Sequence, residues 1–473
     1  MLDSQLYTLS QKNFRMPFGV DSDGSVFTTR ADDIPLLCWP DGKWCFEGNL
    51  YMIDLYHRGL SRTNNGGTLK TYASNISHLL RYCFLNCTDF INLTDSQFTL
   101  FVRGLQGKIK NKTTIVKARN ANTVINIARN CLDFLSCVAR FYNQSDFIGD
   151  KGRIKAKQKS VTIRIPGRNN AITRSFWHHN SFPTPDSKVK VLPINAENIQ
   201  KLRDVIRKIS ASYFLKRRRQ VMLMMLEVTG GRRGEIAALT IKSVMNANAM
   251  REPMLELLTL KKRPHTMRNI PISRPDLDML ISFIEKQRRI IVKKTIGLSN
   301  DHGFVFVSET TGNPLQSQTI SQELYALANA AGIEEKAHAH MFRHRFITKL
   351  FVTLIEQHAF ENIDDFRRAL LDTESIKQKV QQWTGHSQLS SLEIYIHLAF
   401  DEITHFKKSY DHQKFSRAID SVRTQMAYIR DEINNEMTLT ESIVEFEKLL
   451  ASFESELKRL SSENVENIDI QSE

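Results

Sequence analysis

The C-terminal half of the chain carries, in order, side chains that could activate a phosphate ester and attack it. The block 229–235 reads Thr-Gly-Gly-Arg-Arg-Gly-Glu, the block 340–343 reads His-Met-Phe-Arg, and Gly385-His386 precedes Tyr395 by nine positions. Two arginines can neutralise a pentacoordinate phosphorane, histidines and a lysine can move protons, and a tyrosine hydroxyl can attack phosphorus to form a covalent intermediate. This chemistry requires neither a metal ion nor an organic cofactor.

The local sequence predicts how the arginines are held. Arg232 follows a Thr-Gly-Gly turn at the predicted start of a helix, and Glu235 at i+3 could orient its guanidinium. Arg233 is the adjacent alternative. His340 and Arg343 are also three residues apart, so they share one face of a predicted helix and can point at one phosphate.

A β-hairpin is predicted between these blocks. Apolar, β-type residues at 254–260 and 267–273 flank the polar stretch Lys-Lys-Arg-Pro-His-Thr at 261–266. Farther on, Tyr395 is flanked by two isoleucines, whereas Tyr410 lacks the upstream Gly-His spacing. A phenol with a pKa near 10 needs a base and nearby cations to attack at neutral pH, and the predicted arginines and histidine supply both.

The order and spacing of these motifs resemble the tyrosine recombinase (phage integrase) family over residues 192–400. Two positions depart from the family pattern: Arg345 replaces a small hydroxyl residue, and Trp383-Thr384 replaces the usual leucine before Gly-His. The resemblance implies an arginine pair on the phosphate, a histidine that takes the proton of the nucleophile, a second histidine on a non-bridging oxygen, a tyrosine nucleophile and a hairpin lysine that protonates the leaving 5′ oxygen. The matching positions are Arg232, Arg343, His340, His386, Tyr395 and either Lys261 or Lys262.

The activity implied by the resemblance is site-specific DNA recombination through a 3′-phosphotyrosyl intermediate, without metal or ATP. Double-stranded DNA would be the partner. The resemblance also implies a homotetramer on paired DNA sites, with accessory DNA-bending or partner proteins. Two other classes stay open: a type IB topoisomerase-like nicking-closing enzyme and a non-catalytic DNA-binding regulator.

Composition fits a polyanionic partner. The 473-residue chain has a formal net charge of +14, and basic runs occur at 108–117, 151–159 and 216–219. All six cysteines lie in the first third without metal-ligand spacing. No stretch approaches the roughly 20 apolar residues of a membrane span, and the N-terminus has no basic-then-apolar signal, so we expect a cytoplasmic, nucleoid-associated protein.

The expected fold class is mainly α with a small antiparallel β-sheet, a helical core-binding domain preceding a mixed catalytic domain of the DNA breaking-rejoining type. Helical spacing begins at Thr68, a second helix near Thr94 and a third near Asn120, while one strand is expected at 161–165. Asn195 is the predicted N-cap of the next domain. The expected regions are an N-terminal part of unknown role, a helical DNA-binding domain, a basic linker, the catalytic domain and an acidic tail, at 1–55, 56–150, 151–191, 192–410 and 411–473.

The tail carries a heptad seam. Its apolar residues recur at alternating steps of four and three, and glutamate dominates the rest. Acidic charge disfavours DNA, so the seam predicts contact with another protomer, a partner protein or the catalytic domain of its own chain. The seam consists of Leu439, Ile443, Phe446, Leu450, Phe453, Leu457 and Leu460.

Overall fold

A computed structural model of the chain forms two compact units, Met1–Val189 and Lys190–Glu473. Helices dominate both units, and the sheets are small, which confirms the expected mainly α class with short antiparallel strands. Within the described part of the chain, no helix is long and apolar enough to cross a membrane. The structure describes residues 4–107, 119–163, 172–187, 191–259, 266–334, 337–360, 362–385 and 392–405, and helical parts of 419–469.

The first unit is built on four helices whose apolar faces meet in one core. Asn120 caps the last of them, its side chain accepting a hydrogen bond from the Thr123 amide at 2.8 Å, as the sequence predicts. The helices are α1 (Phe46–His57), α2 (Thr63–Leu85), α3 (Asp95–Gly107) and α4 (Ala121–Phe141), with a 3₁₀ turn at Phe90–Asn92.

Seven strands lie in the described part of this unit. The first pairs with the fourth, the second with the third, and the sixth with the seventh, each antiparallel; a two-residue parallel pairing joins the fifth to the sixth. The strands are β1 (Tyr7–Leu9), β2 (Arg15–Val20), β3 (Val26–Arg30), β4 (Pro35–Leu37), β5 (Ile148–Gly149), β6 (Ile154–Ile163) and β7 (Ile172–His179).

The structure corrects three local expectations in this unit. Helix α1 was not expected; its signal is weak because Gly48 lies inside it and Cys45 gives no side-chain cap. Helix α2 begins five residues before Thr68, through residues 65–67 with positive φ. The single strand expected at 161–165 is too short, because β6 begins at Ile154, which is buried in the helical core.

The first helix of the second unit begins where the sequence predicts. Asn195 caps α5, its side chain accepting a hydrogen bond from the Asn198 amide at 2.7 Å. The elements that follow are α5 (Ala196–Ile209), α6 (Tyr213–Thr229), α7 (Arg233–Ala237), α8 (Ile241–Asn248), β8 (Met254–Thr259), β9 (Thr266–Pro271), α9 (Arg274–Ser282), a π-helical segment (Phe283–Arg288), α10 (Arg289–Thr295), a 3₁₀ turn (Leu298–Asn300), α11 (Ser317–Ala330), α12 (Ala339–Gln357), α13 (Ile363–Asp372), α14 (Glu374–Thr384) and α15 (Glu393–His405).

The basic run at 216–219 does not form the charged surface that its composition suggests. Arg218 and Arg219 lie on α6 and are buried, with 5% and 8% of their surfaces exposed. Both bind Glu323 of α11, at 2.6 Å each. These arginines therefore join α6 to α11 inside the unit, because each buried guanidinium is paired with a carboxylate. Residues 108–117, the first basic run, lie outside the described residues.

The C-terminal helix (Leu439–Asp469) packs on α9, but not through the predicted seam. Leu449 is buried, and Ser452 donates to Asp278 at 3.1 Å, while Ile443 and Leu450 remain largely exposed. Glu445 of this helix also binds Lys286 at 3.0 Å. Ile443 and Leu450 of the seam therefore lie beside the packed face, whereas Phe453 is half-buried. Of its other members, the side chains of Leu439, Leu457 and Leu460 lie outside the described residues.

Candidate active site

Arg232 lies between the end of α6 and the start of α7, where the sequence places it. Helix α6 ends at Gly230, whose φ of +54° is a left-handed conformation, and a Cβ there would lie 2.6 Å from the Phe346 ring. Arg232 is the N-cap residue of α7 and donates two hydrogen bonds to Glu235. The Arg232 Nη1 donates to Glu235 Oε1 at 2.6 Å, and the Arg232 backbone N–H donates to Glu235 Oε2 at 3.1 Å. The predicted orienting role of Glu235 is confirmed.

Glu235 holds a second arginine that the sequence analysis missed. Arg268 of β9 donates from Nη2 to Glu235 Oε2 at 2.8 Å, and both side chains are almost fully buried. Although burial raises the pKa of Glu235, the charges of Arg268 and Arg232 bring it below its ordinary value. The signal was available in the alternation of β9: Arg268 occupies an inward position two residues before buried Ile270, where an unpaired charge is not tolerated.

Arg343 lies on α12 with its guanidinium aimed at the same place. Its Nη1 donates to the Gly230 carbonyl at 3.1 Å, and its Nη2 donates to the Thr384 carbonyl. Burial, together with the charges of Arg232 and Arg268, lowers the pKa of Arg343 to about 9, so the group is still a cation at neutral pH. Three guanidinium groups therefore meet around one carboxylate, and an anion entering this site would find a surplus of positive charge.

Helix α14 ends at the site. Arg268 donates to the Trp383 carbonyl and Arg343 to the Thr384 carbonyl, so two guanidinium groups satisfy the last carbonyls of the helix. Gly385 then takes the left-handed C-cap conformation with a φ of +66°. The departure from leucine at 383–384 leaves these backbone contacts intact. His386, the next residue, lies outside the described residues.

The predicted hairpin is confirmed, with Leu257 opposite Arg268 in the antiparallel register. Lys261 and Lys262 lie in the connecting segment, outside the described residues. Its two ends, Thr259 and Thr266, line an open cleft with Gly385. The described residues on either side of the two lysines therefore lie near Gly385, the residue before His386.

Tyr395 lies in the first turns of α15 and is buried, with 4% of its surface exposed. Burial raises the pKa of its phenol, and the charges of Arg343 and Arg232 oppose that increase. The positive charges of both guanidinium groups therefore favour the ionised form of the phenol. Arg367 of α13 donates from its Nε at 2.7 Å to Glu393, which lies on α15 with Tyr395, so α13 packs beside the helix of the tyrosine.

Two histidines of α12 line up toward Tyr395. His340 is exposed, whereas His344, one turn later, is buried. The His344 ring lies 4.4 Å from the His340 ring and 5.1 Å from the Tyr395 ring, centroid to centroid. The site thus brings together four of the predicted residues, namely Arg232, His340, Arg343 and Tyr395.

In this fold an arginine cluster lies beside a buried tyrosine. Residues 194–368 match the family model described as the phage integrase family. This match lies in the second unit and confirms the resemblance drawn from the motifs. The match includes Arg232, His340 and Arg343 and ends before Tyr395.

Individual relatives agree with the family match. The chain is 25% identical over 209 residues to tyrosine recombinase XerC of Lacticaseibacillus casei, and 24% identical over 200 residues to XerC of Bacillus subtilis; these stretches are 44% and 42% of this chain. The chain spans 59% and 56% of the length of these two relatives. Among solved structures, the post-cleavage complex of the XerH site-specific recombinase with its palindromic difH substrate is similar at 17% identity and a TM-score of 0.45, covering 75% of this chain and 83% of that one.

Proposed function

We propose that the chain is a site-specific DNA recombinase, integrase- or transposase-like, that breaks and rejoins DNA through Tyr395. The observation that carries this proposal is that buried Tyr395 packs on α12 against His344, the residue next to Arg343, with the two ring centroids 5.1 Å apart. The charges of Arg343 and Arg232 also act on its phenol. A nucleophile beside two cations suits attack on a phosphodiester, because the same cations stabilise the charge that develops on the phosphorane oxygens. The family match of residues 194–368 supports the same reaction.

The proposed reaction has two transesterification steps. The Tyr395 oxygen attacks phosphorus, the P–O5′ bond breaks, and the 3′ phosphate stays on the enzyme while a 5′ hydroxyl leaves. His386 would hydrogen-bond a non-bridging oxygen, and Lys261 or Lys262 would protonate the leaving oxygen. A 5′ hydroxyl from the partner strand then reverses the chemistry. The ester conserves the bond energy, so no nucleotide cofactor enters the scheme.

The first unit offers a surface for the DNA backbone. Lys155, Lys157 and Lys159 are every second residue of β6 and so share one face of the hairpin. Val161 is on the same face and pairs with Arg174 of β7, so Arg174 belongs to that face as well. All four side chains are exposed, whereas Ile154 and Ala156 are buried. We assign DNA contact to this basic face and the core DNA-binding role to the helices at 56–150. Double-stranded DNA as substrate would place the protein with the nucleoid in the cytoplasm.

The test is covalent trapping. A binding site is first obtained by selecting duplexes from a randomised library with the protein itself, and a nick is then placed in the selected site so that the cleaved fragment diffuses away. Wild-type protein should form a denaturant-stable complex on this suicide duplex, whereas Tyr395→Phe should bind equally well and form none. Failure of the wild type to form any covalent complex on a duplex that it binds contradicts the proposal.

A second assay separates recombination from simple nicking and closing. A plasmid with two copies of the selected site should give deletion or inversion products, as expected for protomers assembled on paired sites, with or without accessory DNA-bending proteins. Relaxation of supercoils without any exchange would instead favour a topoisomerase-like activity. Lys261→Met and Lys262→Met in the trapping assay identify the general acid. A 5′-bridging phosphorothiolate has a thiolate leaving group that needs no proton, so it should restore cleavage only to the variant that lacks the general acid.

A further inference from the structure

Tyr395 must release its proton inside the protein. The side chain is buried, with 4% of its surface exposed, so a nearby protein group is better placed than bulk water to take the phenol proton. Two aromatic rings of described residues lie against the tyrosine ring, those of His344 at 5.1 Å and Phe351 at 6.5 Å. Phenylalanine cannot accept a proton, and the nearby arginines are cations at neutral pH. Of these neighbours, only the imidazole of His344 can act as a base.

His344 is unusual among buried polar side chains. It is 94% buried, having 6% of its surface exposed, and within the described part of the chain neither Nδ1 nor Nε2 has a hydrogen-bond partner. Leaving a buried polar atom unpaired costs about 1–3 kcal/mol, and such atoms in native proteins mark strained or catalytic positions. An apolar side chain such as Leu would occupy this position without this cost. The unpaired nitrogens of His344 are explained if this side chain exchanges a proton only when substrate is bound.

We propose that His344 is a further catalytic residue, which accepts the phenol proton of Tyr395 and passes it to His340. An imidazole can do this because it accepts on one nitrogen and releases a proton from the other. The His340 ring lies 4.4 Å away, centroid to centroid, and is exposed, so the path ends at solvent. This inference rests on the proposed function, since it assigns a step in the same reaction.

The step balances. The O–H bond of Tyr395 breaks as its oxygen bonds to phosphorus, the proton moves to His344, and the P–O5′ bond breaks with its own proton supplied by the hairpin lysine. Burial, with His340, Arg343 and His338 nearby, lowers the pKa of His344 to about 4, so the ring is neutral and ready to accept at physiological pH. A DNA phosphate beside Arg343 would offset part of that positive charge and raise the basicity of the ring when it is needed.

The experiment compares His344→Phe, which keeps an aromatic ring and removes both nitrogens, with His358→Phe, the same change at the exposed end of α12. Covalent complex formation on the suicide duplex is measured in single turnover between about pH 6 and 9. Removing a general base should slow His344→Phe by about a hundredfold or more near neutrality, with a rate that rises about tenfold per pH unit as hydroxide replaces the base. Added imidazole should restore part of the rate, and His358→Phe should match the wild type.

A leaving-group substrate separates this step from protonation of the 5′ oxygen. A 5′-bridging phosphorothiolate should rescue the lysine variant but not His344→Phe. The inference is overturned if His344→Phe cleaves within about threefold of the wild type, or if its defect is the same at every pH, as a structural fault would give. If melting shows that His344→Phe is unfolded, His344→Gln is measured in the same way, with the same criteria. Wild-type protein that forms no complex at all contradicts the proposed function instead.

Discussion

Replacing Arg268 with methionine should strongly destabilise the second unit. Arg268 makes two bonds that involve a charged group, to Glu235 Oε2 at 2.8 Å and to the Trp383 carbonyl. Each such bond contributes about 1.5–3 kcal/mol. Because Glu235 keeps Arg232 as a partner, the carboxylate is not left fully unpaired, and we expect a total loss of about 3–5 kcal/mol. That corresponds to a melting temperature lower by about 6–20 °C at roughly 2–4 °C per kcal/mol.

The assay is urea and thermal unfolding of the full chain, followed by circular dichroism. Arg289→Met, at an exposed position of α10, is the matched control and should change stability by less than about 0.5 kcal/mol. A double-mutant cycle with Glu235→Gln should show coupling of at least about 1.5 kcal/mol between Glu235 and Arg268. A loss below about 1 kcal/mol for Arg268→Met, or additive effects in the cycle, would refute the interpretation of this buried ion cluster.

Three further outcomes are expected. Arg232→Lys and Arg343→Lys should each slow cleavage by about a hundredfold or more with little loss of DNA binding, because lysine cannot make the two parallel bonds of a guanidinium to the transition state. Single-turnover assays measure cleavage, gel shifts measure DNA binding, and EDTA should leave the wild-type cleavage rate unchanged. Arg288 lowers the pKa of Asp301 to about 2, so its stabilisation is present above about pH 4 and lost as the pH falls toward 2; the deficit of Asp301→Asn in urea unfolding should shrink over that range. Truncation after residue 431 should preserve cleavage of one site and weaken assembly of paired sites in native gels; a loss of half-site affinity with a smaller salt dependence would contradict it.

Sequence patterns predicted the parts of the site that depend on local geometry. Arg232 follows a glycine turn, His340 and Arg343 share a helix face, and the hairpin strands alternate, so each position follows from residues nearby in the chain. The structure agrees at each of these points. By contrast, the pairing of Arg268 with Glu235 joins residues 33 positions apart, and no local pattern shows which carboxylate an inward arginine will meet.

The remaining surprises have the same cause. The seam of the C-terminal helix was derived from helical periodicity, which identifies an apolar stripe but not the face that packs; the polar contacts of Glu445 and Ser452 rotate the buried face toward Leu449. No sequence pattern marks His344, because sequence cannot show that its two nitrogens are buried without partners among the described residues. Tertiary packing, rather than local propensity, decides both.

The central claim is that Tyr395 forms the covalent link to DNA. The direct measurement is mass spectrometry of the wild-type complex on the suicide duplex after digestion with protease and nuclease. The account predicts one nucleotide-bearing peptide, modified at Tyr395 through a 3′ phosphate, and a free 5′ hydroxyl on the released strand. A link at Tyr410 or any other residue, or a 5′-phosphotyrosyl bond, would contradict it.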